Sequence, residues 1–102
     1  MAVTLVDLAN VALAQHRPHE ALPLAQRALV LREQGGVGPM LMASVRFTLA
    51  RALWGVPAAA GGDRANALAL ATRAREAFRA LGEPEAENLA EVDAWLAAHS
   101  SE

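Results

Sequence analysis

"EALPLAQRA" fills residues 20–28 and "NALALATRA" fills residues 66–74, and six of the nine positions are identical. The matches are Ala21, Leu22, Leu24, Ala25, Arg27 and Ala28 against Ala67, Leu68, Leu70, Ala71, Arg73 and Ala74. Apolar residues three and four apart lie on one face of a helix, so the same helix is written twice. A partner helix precedes each copy: "LANVAL" (8–13) and "LARALW" (49–54) place Leu8 and Ala9 opposite Leu49 and Ala50 in register. The first helices are offset by 41 residues and the second helices by 46, and the difference of five falls in the loop stretch "VPAAA" (56–60). A helix pair buries one face within itself and needs a neighbour for the other, which is why such units come stacked.

Five helices are predicted. The first runs from about Thr4 to Gln15, with Leu5, Leu8, Ala9 and Ala12 inward. After "HRPHE" the second starts at Pro18, a residue suited to a first helical turn, and continues to about Glu33. Its inward residues are Ala21, Leu24, Ala25, Ala28 and either Leu29 or Leu31, and Pro23 lies inside it. "QGGVGP" (34–39) breaks the chain before a third helix from about Met40 to Trp54, whose buried stripe is Val45, Leu49, Ala50 and Leu53. Asp63 caps a fourth helix that reaches Leu81, and Gly82 and Pro84 set off a fifth, from Glu85 to about His99, with Leu89, Val92 and Leu96 inward. Nothing alternates with period two, so the fold class is all-α. The domain reading is a single unit, 1–102, with repeat one at about 2–35, repeat two at about 43–81 and a capping helix at about 85–99. An ordinary antiparallel helix bundle is the rival architecture.

The totals narrow the function classes. All nine basic residues are Arg, Lys and Cys are absent, and the formal charge is −2. That balance offers no basic face for nucleic acid and no thiolate for metal or nucleophilic chemistry. No apolar run approaches the roughly 20 residues of a membrane span, and the first ten residues do not read as a secretory leader, so the expected location is cytoplasmic.

The small-residue positions resemble the tetratricopeptide repeat: Leu5, Leu8, Ala9, Ala12, Ala21, Ala25 and Ala28 in the first unit, then Arg46, Leu49, Ala50, Leu53, Ala67, Ala71 and Ala74 in the second. Positions where that family carries aromatics hold Ala or Leu here. The linker "LREQGGVGP" is similar to a longer variety of the repeat, about 42 residues per unit. "RFTLARALW" and "AEVDAWLAAH" resemble repeat regions at the C-terminal side of bacterial serine/threonine kinases and related regulators. The resemblance implies a stack of helical hairpins, an α-solenoid fragment, that binds proteins or peptides along its first helices and carries out no catalysis. Carried onto this chain, the groove residues are Val6, Asp7, Asn10 and Leu13 from the first unit and Phe47, Thr48, Arg51 and Trp54 from the second. Asn10 would bond a peptide backbone and Arg51 a carboxylate, while Phe47 and Trp54 are either ligand anchors or core. The alternative is a structural spacer or self-association domain with no ligand of its own.

The chemistry-bearing residues add no competing site. His16 and His19 straddle Pro18 in a turn and lack a third ligand, and "GGVG" and "AAAGGD" follow no strand and carry no P-loop Lys. No catalytic, metal or cofactor site is expected. Glu83, Glu85, Glu87, Glu91 and Asp93 read as the solvated outer face of the last helix, and Trp95 as a cap over the fourth helix. The first helix has few polar residues, so Val3, Val6 and Val11 are expected to be left in water and to support a homodimer through this helix.

Overall fold

The computed structural model describes residues 5–35, 38–82 and 86–99, and these are helical with short turns. The order is α1 (Leu5–Ala14), α2 (Pro18–Gly35), α3 (Pro39–Gly55), a short 3-10 turn at Ala58–Ala60, α4 (Arg64–Leu81) and α5 (Ala86–His99). Each helix packs against the next in the chain, and α1 also meets α3.

The helix ends follow from local chemistry. α1 closes with His16 N donating to the Leu13 carbonyl and Arg17 N donating to the Ala12 carbonyl. This is the paired arrangement of a Schellman end, and it forces His16 into the left-handed region at φ 60°. Pro39 starts α3 behind an extended Gly38. Asp63 caps α4 as its sequence position implies, its carboxylate accepting from Asn66 N at 3.0 Å. The loop before it turns tightly at Gly62, where an added Cβ would fall 1.7 Å from the Val56 carbonyl oxygen. α2 runs unbroken through Pro23.

The core is built on alanine contacts with α3 at the centre. Ala9, Ala21, Ala25, Ala43, Ala50, Ala52, Ala67, Ala71 and Ala74 are fully buried. Small side chains let helix axes approach closely, and the larger Leu22, Leu49, Leu53, Leu70, Phe78 and Leu96 fill the spaces between them. The inward stripe expected for α3 is found, since Val45, Leu49, Ala50 and Leu53 are all buried.

Two expectations for the outer helices are corrected. Val6, read as stranded in water, is 5% exposed and packs with Ala28 and Val45. Leu8, read as inward, is 44% exposed. The cause is that α1 is flanked by α2 on one side and α3 on the next, which centres its buried stripe on Val6, Ala9 and Ala12. Leu8 and Val11 then fall on a side with no neighbouring helix among the described residues. Val11 is exposed as expected, and Val3 lies outside the described residues. In α2 the choice between Leu29 and Leu31 resolves to Leu29, which packs on the core, while Leu31 is half-exposed.

Candidate interaction face

Where α1 crosses α3, three of the residues expected in a groove meet each other. Asn10 Oδ1 accepts from Arg51 Nη2 at 2.6 Å and lies 3.1 Å from Thr48 Oγ1. The Thr48 hydroxyl is also 3.1 Å from the Ser44 carbonyl oxygen, and its single proton serves one of the two acceptors at a time. The spacing explains the convergence: Thr48 and Arg51 are three apart on one face of α3, and Asn10 sits opposite on α1.

Arg51 is half-buried. Its guanidinium carbon stands 4.9 Å from the centroid of the Phe47 ring, a cation–π placement. Burial lowers its pKa from the usual value because the charged form loses water, and the carboxylate of Glu91 on α5 works in the opposite direction. Arg51 Nε is buried with no hydrogen-bond partner among the described residues. A polar row therefore runs from Asn10 of α1 to Arg51 of α3, which are hydrogen-bonded, toward Glu91 of α5, whose charge acts on Arg51.

Beside the row lies an aromatic cluster. Trp95 of α5 stands edge-to-face with Phe47 at 5.9 Å and with Trp54 at 5.7 Å, and stacks on His99 at 4.4 Å. His99 Nδ1 lies 2.6 Å from the Trp95 carbonyl oxygen, so this nitrogen carries the proton and donates. Arg64, from the start of α4, places its guanidinium carbon 4.6 Å from the centroid of the Trp54 ring. Trp54, Val56, Pro57 and Arg64 line a cleft of about 370 Å³ at the α3–α4 turn. α5 is held to α4 by Val92 and Leu96, both buried, and by Arg75 Nε facing Asp93 Oδ1 at 3.9 Å, an ion pair too long for a hydrogen bond.

Of the eight groove candidates, Asp7 is exposed, while Asn10, Leu13, Arg51 and Trp54 are half-buried at the surface. Val6, Phe47 and Thr48 are in the interior, at 5%, 7% and 2% exposure. Phe47 is thus core, covered by Trp95, and Thr48 is a buried polar residue satisfied from within. Trp95 rests its ring on α3 residues where a cap over α4 was expected. The sequence reading also missed Glu91 as a member of the row. A signal for it exists: Leu8-Ala9-Asn10, Leu49-Ala50-Arg51 and Leu89-Ala90-Glu91 recur at offsets of 41 and 40. His16 and His19 are exposed, and no group of three or more His, Cys, Asp or Glu able to hold a metal ion occurs among the described residues. No described helix is long and apolar enough to cross a membrane.

Comparison with known proteins finds no matching family model, no matching curated protein and no matching solved structure.

Proposed function

We propose that this chain is a non-catalytic protein-interaction module of the tetratricopeptide kind, with α1–α2 and α3–α4 as successive hairpins and α5 as a third first-helix that caps them. The observation that carries the reading is the Asn10–Arg51–Glu91 row. Asn10 and Arg51, 41 residues apart at matching positions, are hydrogen-bonded, and Glu91, 40 residues further on, carries a charge that acts on Arg51, the order expected of stacked copies of one unit. The Ala positions shared with that family support the reading too, since Ala9, Ala21, Ala25, Ala50, Ala67, Ala71 and Ala74 have no exposure at all.

The proposed ligand is a peptide or protein segment lying along α1 and α3, across Asp7, Asn10, Leu13, Arg51 and Trp54. Asn10 spends its oxygen on Arg51 and Thr48, which leaves its amide N–H groups for a peptide carbonyl. The edge of Trp54 supplies apolar contact area. The mixed charges of this face, with Asp7 on α1 and Arg51 on α3, suit a segment of alternating charge better than a uniformly acidic one.

Selection of peptides from a displayed random library tests the reading. The expected result is a recurring consensus whose binding weakens at least ~10-fold with Asp7→Arg and with Leu13→Ser. Enrichment of no consensus, or a consensus indifferent to both changes, would favour the spacer reading.

A further inference from the structure

The 41-residue offset allows the outer faces of the two first helices to be compared position by position. On α3, Val45, Leu49 and Ala52 form a stripe with exposures of 0%, 5% and 0%. The helix that covers this stripe is α2. Val45 clusters with Ala28 and Leu29, and a Cβ built on Gly55 would come within 2.8 Å of the Pro18 ring. At the other end Arg32 Nη1 donates to the Leu41 carbonyl at 2.6 Å. So α2 runs antiparallel along the stripe from end to end.

Moving back 41 residues, Leu8 replaces Leu49, Val11 replaces Ala52 and Ala14 replaces Gly55. Leu8 is 44% exposed, Val11 is 52% exposed and Ala14 is exposed as well. The stripe stays apolar at Leu8, Val11 and Ala14, while the counterpart of Val45 is Thr4, which lies outside the described residues. What differs is the neighbour, since no helix among the described residues lies over this side of α1.

We infer that the outer stripe of α1 is a docking seat for an amphipathic helix of α2's kind, delivered as the second helix of a helical hairpin on a partner chain. The α2–α3 interface states the shape required: small and medium apolar residues at the spacing of Leu22, Ala25, Ala28 and Leu29, running antiparallel to α1. A second copy of this chain does not meet that requirement, because the matching faces of its α2 and α4 are already taken by α3 and α5. A two-fold pairing of α1 helices is a poor fit as well. Two half-exposed side chains bury only a small part of the ~800 Å² per partner that a stable interface needs. A hairpin adds its first helix to the contact, in the way α1 itself meets α3 through Asn10 and Thr48. The seat adjoins the proposed peptide face, because Asp7 and Val11 are four residues apart on α1, and the test below reads the seat through helix content and melting with no peptide present.

The test extends the chain. Residues 1–41 are duplicated in front of Met1, which brings a second α2 sequence to α1 in the natural register. The expected result is added helix by circular dichroism and a melting temperature higher by at least ~5 °C. Leu8→Arg with Val11→Arg in the original α1 should abolish that rise and leave the unextended chain melting within ~3 °C of its parent. An extension that adds neither helix nor stability overturns the inference. So does a double variant that lowers both chains equally, which would make Leu8 and Val11 part of the existing fold. A third overturning result is an unextended chain that is dimeric by light scattering and becomes monomeric with the double variant, which would assign the seat to a second copy.

Discussion

Replacing Arg51 by glutamate should destabilise the fold, because the guanidinium is held from three directions. It donates to Asn10 Oδ1 at 2.6 Å, stands 4.9 Å over Phe47 and lies near the charge of Glu91. A hydrogen bond to a charged group contributes about 1.5–3 kcal/mol. In Arg51→Glu that bond is lost, and the new carboxylate meets the Asn10 oxygen and Glu91, two groups that repel it. The partial exposure of the site limits the repulsion to about 0.5–1 kcal/mol. A total of about 2–4 kcal/mol corresponds to a fall of roughly 8–30 °C in melting temperature for a domain of this size. Arg51→Met keeps an apolar contact with Phe47 and removes the bond without adding the repulsion, so it should cost about 1.5–3 kcal/mol. Adding Glu91→Gln to Arg51→Glu should recover part of the loss, and the double-mutant cycle by thermal melting isolates the Arg51–Glu91 coupling. An Arg51→Glu chain that melts within ~1 °C of the parent would refute this account of the row.

Three further outcomes follow from the packing. Gly55→Ala should cost about 1–3 kcal/mol in a melting experiment, because its Cβ would lie 2.8 Å from Pro18 and drive α2 and α3 apart. His16→Gly should stabilise by about 1 kcal/mol by removing the left-handed strain at φ 60°, and a decrease would mean that the imidazole contributes contacts outweighing that strain. Trp95→Ala should cost about 2–4 kcal/mol and shift the fluorescence of Trp54 to the red, because it uncovers Phe47 and Trp54 together.

The helical part of the structure is well written in the sequence because alanine and glycine speak clearly. The duplicated Ala/Leu spacing marks α2 and α4, Asp63 marks the start of α4, and the Gly/Pro breaks fall where helices end. What the sequence does not reveal is which side of α1 faces a neighbour. Leu8 and Val6 are both apolar and two residues apart, so periodicity alone tolerates either as the inward one. The presence of α3 beside α1 decides for Val6. The groove residues show the same limit. A helical wheel places Phe47, Thr48 and Arg51 together on an outer face, where a charge swap at Arg51 would leave stability nearly unchanged. Trp95 then arrives from α5 to cover Phe47, and Asn10 turns toward Arg51, so a face read as open is partly closed by the chain itself. Ala90 shows the converse: its counterparts Ala9 and Ala50 are fully buried, and it is exposed because no described helix follows α5 to pack on it.

The most direct test of the interaction module is a chemical-shift map of the ¹⁵N-labelled chain titrated with a peptide selected by display. The account predicts that saturable shifts concentrate on Asp7, Asn10, Leu13, Arg51 and Trp54, along the row where α1 meets α3. Shifts confined to the outer surfaces of α2 and α4, with that row unmoved, would contradict it.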